Sequence, residues 1–307
     1  MPPLLAKAAR AADFLRTRED RMARHLTTDQ AAHYRDKGYV FPLPALEAGE
    51  TRELRRRFDG LRLSHGSTLP RTINTRPHLI LKWLDDLIRD PRVLDPVESI
   101  LGSDILCWAS GFFAKAPGDG SFVSWHQDAT YWGLSKPDVV TAWVALTPSN
   151  TSNGAMGFIP GTHTSDQIPH RDTFAKNNLL TRGQEVAVDV DERKAVTIEL
   201  EPGEISLHHV RLVHGSPANP SNDRRIGFAI RYIPTSVAQI AGRDSASLVR
   251  GTDRFHHFDL EPRPSTEMDP AFVKLHKEIA ERSAQILYRG TGVKSYNDPA
   301  ALPERAT

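Results

Sequence analysis

The chain has 307 residues, with 39 lysines and arginines against 38 aspartates and glutamates, one cysteine, and no apolar run of membrane-spanning length. Near neutrality leaves no electrostatic footprint for nucleic acid or an anionic membrane surface. The lone Cys107 excludes an internal disulfide framework and any multi-cysteine zinc or iron–sulfur centre, and it fits a reducing, cytoplasmic setting.

Residues 1–26 are basic and partly amphipathic, but Asp13, Glu19 and Asp20 argue against an organellar leader, so a surface helix is expected there. Thr27 with Gln30 makes a capping-box pair that opens a short helix towards Gly38. A second helix is expected over residues 48–58, dense in Arg and Glu and stopped near Gly60. Apolar positions between Pro77 and Leu101 predict further short helices.

From Asp104 the character changes. Runs rich in strand-forming residues alternate with Gly, Pro and Asn breaks at 105–116, 139–146, 155–159, 195–200, 204–208 and 224–233. Short strands with such turns predict a sandwich or barrel rather than a parallel α/β sheet. Asp269-Pro270 then opens a last helix, with Phe272, Leu275, Ile279 and Ile286 on one side and Gly290 past its end. One domain is expected over 1–307. It has a helical N-terminal layer (1–103), a β core (104–235) holding a lid-like insertion (164–194), and a C-terminal segment and helix (236–307).

Within the β core, Trp125-His126-Gln127-Asp128 is the first chemical signal. In an extended strand residues i and i+2 share a side, so His126 and Asp128 can face one ion while Gln127 faces away. His214 in Leu212-Val213-His214-Gly215-Ser216 can supply a third ligand. Taken alone, His214 reads better as a core histidine bonded to backbone than as a ligand. Two histidines and one carboxylate leave open positions on an octahedral metal, whereas a structural zinc site closes its shell.

The strand at 224–233 alternates. Ile226, Phe228, Ile230 and Tyr232 share one face, and Arg225, Gly227, Ala229 and Arg231 the other. Gly227 and Ala229 leave space that a ligand could fill, with Arg225 at its end holding a carboxylate in bidentate fashion. A surface-edge strand with exposed arginines is the alternative.

In order, Pro117-Gly118-Asp119, Trp125-His126-Gln127-Asp128, Ala142-Trp143, Asn153-Gly154-Ala155-Met156, Pro160-Gly161-Thr162-His163, Pro202-Gly203-Glu204, His214-Gly215-Ser216, Asn219 and Arg225 resemble the phytanoyl-CoA dioxygenase family over roughly residues 28–235. The resemblance implies an all-β core with helical additions: a double-stranded β-helix (jelly roll, cupin-like) flanked by N- and C-terminal helices, with the metal at its open end. It implies Fe(II), 2-oxoglutarate as cosubstrate, and O₂. The implied enzyme is a dioxygenase that hydroxylates or otherwise oxidises an unactivated C–H bond of a small, polar metabolite or natural-product intermediate, releasing succinate and CO₂.

Carried onto this sequence, the resemblance makes His126, Asp128 and His214 the iron ligands. Arg225 pairs with the distal carboxylate of 2-oxoglutarate, Ser216 donates a hydrogen bond to it, Trp143 lines its pocket, and Lys82 is a further cosubstrate contact. Halogenating relatives carry a small residue where this chain has Asp128, so oxygen insertion is implied over halogenation.

His163 is expected to be structural or pocket-lining, His208 and His209 to serve core packing and turn bonding, and His256 and His257 to lie on solvated surface or a flap. The charged stretch 164–194 reads as a substrate-contacting lid or a solvated insertion. As a lid, its polarity favours a small polar or anionic molecule over a bare lipid. The expected partner is a small-molecule substrate, with neither nucleic acid nor membrane, and the oligomeric state is left open. Two other readings compete: a cupin-type metal-dependent hydrolase or isomerase, which needs a positioned general base, and a non-catalytic binding protein on the same fold.

Overall fold

The computed structural model describes residues 25–65 and 70–296; the helix expected at the N-terminus falls almost wholly outside them. The capping box is present: Thr27 accepts from Gln30 N–H and Gln30 reaches back to Thr27 N–H, opening helix α1 (Thr28–Lys37). Gly38 closes it in the left-handed conformation (φ 86°), donating its N–H to Tyr34 O at 2.7 Å. A side chain there would also strike His163 at 2.6 Å, so only glycine fits.

Helix α2 (Ala48–His65) runs through Gly60 instead of stopping at it. A glycine inside a helix costs only about 1 kcal/mol, and the helix-forming residues that follow, Leu61, Arg62 and Leu63, carry it on. After a short turn, α3 (Arg71–Asn74), come α4 (Lys82–Ile88) and α5 (Pro91–Leu101). Asp90 caps α5 by accepting from Arg92 N–H at 2.9 Å. Helix α6 (Pro270–Leu287) begins at the expected Asp269 cap.

Two β-sheets form the jelly roll. The larger has the order β1 (Tyr39–Pro44), β9 (Glu204–His209), β4 (Val140–Ala145), β11 (Arg225–Pro234), β2 (Ile105–Lys115), β12 (Ser245–Arg250), β13 (Asp259–Leu260). The smaller has the order β3 (Val123–His126), β10 (His214–Ser216), β5 (Gly157–Phe158), β8 (Val196–Thr197). Every pairing in both is antiparallel except β12–β13. The large sheet thus takes one strand from the N-terminal and two from the C-terminal flanking segment, beyond residues 104–235. The insertion folds as a two-stranded hairpin, β6 (His170–Arg171) with β7 (Glu185–Val186).

Alternation along the strands sets the layers. Val140, Ala142 and Val144 of β4 join Ile226, Phe228, Ile230 and Tyr232 of β11 in one apolar cluster with Leu84, Val93 and Val97 of the helices. Tyr232 Oη adds a hydrogen bond to Ile88 O at 2.9 Å. The alternate residues Trp143, Ala145 and Ala229 pack instead with Met156, Phe158 and Leu212, closing the space between the sheets. At the end of that inner space the apolar residues give way to histidines, arginines and an aspartate.

Candidate metal centre

Strand β3 ends at His126, and its pairing with β10 puts His214 directly opposite. The two imidazole centroids lie 4.1 Å apart. Asp128 sits just past the strand, where its N–H donates to Val210 O at 2.9 Å, and His126 Nε2 lies 3.5 Å from its Oδ1. One donor atom from each of His126, Asp128 and His214 lies within 4.8 Å of the others, and all three residues are buried. Gln127 faces away as expected, with its side chain bonded to Arg211 O and Ile168 N–H.

The hydrogen bonds choose the tautomers. His126 Nδ1 donates to Ser124 O at 2.9 Å and His214 O at 3.0 Å, and His214 Nδ1 donates to Leu212 O at 2.8 Å. A carbonyl only accepts, so each Nδ1 carries the proton and each Nε2 keeps its lone pair for a metal. Burial, with His126 and His208 close by, pushes His214 well below the usual histidine range and keeps it neutral. Burial alone would raise the Asp128 carboxyl, but the Arg231 guanidinium and His126 outweigh it and hold the group well below the usual carboxylate range. A neutral His214 and an ionised Asp128 are protonation states that metal ligation requires.

Beside the triad lies a cavity of about 400 Å³ lined by Trp143, Ser216 and Arg225 as well as the three ligands. Arg225 is 1% exposed and stands 5.3 Å from the Trp143 ring. Its Nε and Nη1 have no hydrogen-bond partner among the described residues. The same is true of Thr141 Oγ1, Trp143 Nε1, His208 Nδ1 and Arg231 Nε, all on residues lining this cavity. These six are half of the 12 such buried atoms among the described residues. An unsatisfied buried polar atom costs about 1–3 kcal/mol, so their convergence marks a place shaped for an oxygen-rich, anionic ligand. The donor set therefore fits both groups implied by the family: an open-shelled metal at the triad and a dicarboxylate reaching to Arg225.

Ser216 is present, but its Oγ accepts from Lys115 Nζ at 2.6 Å. Lys115 is fully buried, also donates to the carbonyls of Gly154, Ser216 and Pro217, and stands opposite Arg225 across the β2–β11 ladder. Burial and the Arg225 charge pull its ammonium down to about 6. A lysine donating to Ser216 Oγ leaves the serine proton free to point into the cavity. Lys115, Thr141, His208 and Arg231 were not foreseen as site residues.

Two expectations are corrected. Lys82 is the first residue of α4, where its Nζ pairs with Asp86 at 2.5 Å, 42% exposed, and it does not line the cavity. Spacing upstream of the metal motif placed it on the helical layer. Lys82→Ala should therefore leave 2-oxoglutarate affinity unchanged in calorimetry and shift stability by no more than about 0.5 kcal/mol; a weakened affinity would restore it to the site. Nor is the space above Gly227 left for a ligand. A Cβ there would fall 1.7 Å from Trp143 Cζ2, so the indole of the neighbouring strand fills it. Gly227→Ala should cost about 1–3 kcal/mol in urea unfolding by displacing that ring. Unchanged stability would mean that Trp143 can move at no cost.

His163 Nε2 donates to Arg35 O, away from the cavity, and His209 Nδ1 closes a turn by accepting from Arg211 N–H. His256 and His257 are exposed. His208, expected as core packing, instead stands 4.9 Å from the His214 ring and lines the cavity, and burial pulls it down to about 4.

The phytanoyl-CoA dioxygenase family model matches residues 34–227. Among curated sequences, the chain is 31% identical over 169 residues to a "Probable alpha-ketoglutarate-dependent hypophosphite dioxygenase" of Stutzerimonas stutzeri, covering 54% of this chain and 58% of that protein. The chain spans about half the length of the first curated relatives it matches. Among solved structures, the apo form of the non-heme monooxygenase ThoJ superposes with a TM-score of 0.76 at 35% identity, over 84% of this chain and 97% of that one. CytC3 with Fe(II) and alpha-ketoglutarate shares the fold at a TM-score of 0.59 and 23% identity, over 80% and 98%.

Proposed function

The chain belongs to the phytanoyl-CoA dioxygenase family, and from that premise we propose that it is an Fe(II)- and 2-oxoglutarate-dependent dioxygenase oxidising a C–H bond of a small molecule. The observation that carries the reading is the unpartnered, buried Arg225 guanidinium in the same cavity as the two-histidine, one-carboxylate triad. Bound iron would supply O₂ activation coupled to the decarboxylation of 2-oxoglutarate to succinate and CO₂.

The chain's own residues do the rest. His126, Asp128 and His214 would hold the metal through two imidazole nitrogens and one carboxylate. Arg225 fixes the distal carboxylate of the cosubstrate, and Ser216, oriented by Lys115, donates its hydroxyl proton to the same group. Trp143 forms the wall beneath Arg225, and burial of all these groups keeps bulk water from the charged partners. Asp128 occupies the position that halogenating relatives leave small, which supports oxygen insertion.

A hydrolase or isomerase would have no use for an uncompensated cation at the closed end of the cavity. The substrates in the relatives' names differ among themselves, so none is carried over. Among the described residues no helix is long and apolar enough to cross a membrane. The lone Cys107, buried in the core, supports a reducing compartment such as the cytoplasm.

Anaerobic titration of the protein with Fe(II) and then 2-oxoglutarate should produce a visible charge-transfer band and a calorimetric binding signal. Absence of both would end the oxygenase reading.

A further inference from the structure

The metal cavity adjoins a second, larger one of about 1010 Å³ counted to its open mouth, and the two share Phe113, Asp128 and Arg231 as walls. The walls of the larger cavity are aromatic near the metal. Trp108 and Trp132 pack at 4.9 Å between centroids, and Trp108 is fixed by donating its Nε1–H to Asp244 at 2.8 Å. The insertion supplies Leu179 to Arg182 and Gln184, and α6 supplies Ser283 and Leu287. Within the insertion, the stretch 179–184 thus forms part of the wall of this cavity.

Three arginines line it, and two are already paired. Arg76 is held by Asp244 and Glu261, and Arg182 by Asp172. Arg231 differs. Its guanidinium lies 5.2 Å from the Trp132 ring and 5.7 Å from the Phe113 ring. Its Nε has no hydrogen-bond partner, and the only carboxylate it approaches among the described residues is Asp128, at 4.0 Å. That separation is too long for a hydrogen bond. Asp128 is also the triad's carboxylate, so a bound metal would share the charge of the one anion near Arg231. Arg225 lines only the smaller, metal-side cavity.

We infer that Arg231 is the substrate-anchoring residue, and that the substrate is a small, singly charged organic acid whose carboxylate pairs with Arg231 while its apolar body lies along Trp108 and Trp132. This rests on the oxygenase reading for the identity of the neighbouring site but not for the chemistry of Arg231. A cation clamped between two rings has its plane set before the ligand arrives, and a carboxylate matches its fork. A body reaching from that anchor passes Asp128, which brings its C–H bonds beside the metal. An uncharged substrate would leave the half-buried Arg231 guanidinium without a hydrogen-bonded anion.

The test uses phenylacetate and indole-3-acetate against their uncharged primary amides. Each is titrated by calorimetry into the full-length protein saturated with Mn(II) and 2-oxoglutarate. The acids should bind at least about tenfold more tightly than the amides. The preference should weaken in metal-free protein, where Asp128 competes for Arg231. Arg231→Gln should erase the preference, and Arg231→Lys should restore part of it.

Equal binding of acids and amides, or binding of neither, overturns the inference. So does a preference that survives Arg231→Gln. Loss of Mn(II) affinity in that variant with the preference intact would make Arg231 a positioning partner of Asp128 and also overturn it. If the wild-type protein fails to bind 2-oxoglutarate, the oxygenase reading falls, and the same acid–amide comparison with Mn(II) alone decides the role of Arg231.

Discussion

His214→Ala is expected to abolish both divalent-metal binding and activity while leaving the fold intact. The three ligands come from two strands, and each holds its place through the backbone: His214 is locked by its Nδ1 bond to Leu212 O, and the β3–β10 ladder sets it against His126. Removing one imidazole leaves His126 and Asp128 as a two-point site, too few to compete with water for a labile ion. Loss of residues that merely orient ligands costs roughly 10–100-fold in metal affinity, so loss of a ligand itself should exceed that range in a Mn(II) titration. The strand survives, because β10 is held by main-chain pairing to both β3 and β5. Far-ultraviolet circular dichroism should therefore match wild type. Near-normal Mn(II) affinity in His214→Ala would remove it from the site and with it the argument from the triad.

Much of this centre was legible because it depends on short-range periodicity. The alternation in β11 separates Ile226, Phe228, Ile230 and Tyr232 from Arg225 and Arg231 without knowledge of any partner strand, and the core cluster follows that division. The pair His126 and Asp128 is likewise local. Lys115 was not legible, since it meets Arg225 only through a register between strands about 110 positions apart, which no local pattern encodes. Gly227 misled for a related reason. A missing side chain announces space, but only the neighbouring strand decides what fills it, and here that is Trp143.

Strand β1 escaped notice because Pro42 and Pro44 argue against a ladder. It lies at the sheet edge, where a missing N–H faces no partner strand. Lys82 shows the converse failure. It was carried over from the family resemblance in a segment where spacing to the metal motif varies, and its helix places it at the surface.

Arg225→Gln should produce two effects of opposite sign, and their combination separates a ligand anchor from a structural arginine. In the ligand-free protein the guanidinium is buried without a carboxylate partner among the described residues. Burial pulls it down to about 10, so it still carries its charge at neutral pH. A buried charge without a counterion destabilises the fold. Substituting a neutral amide should thus leave the melting temperature of the ligand-free protein unchanged or raise it.

Cosubstrate binding should move the other way. Losing one partner of a buried charge pair costs about 2–5 kcal/mol, which is roughly a 30-fold or greater loss of 2-oxoglutarate affinity. The thermal stabilisation that saturating 2-oxoglutarate gives the wild type should shrink accordingly. Mn(II) affinity should stay within a few-fold of wild type, since Arg225 touches none of the three ligands. A variant that melts early even without ligand would mean that the arginine serves the fold. Parallel loss of metal and cosubstrate binding would mean that the two sites are not separable in the way the cavity places them.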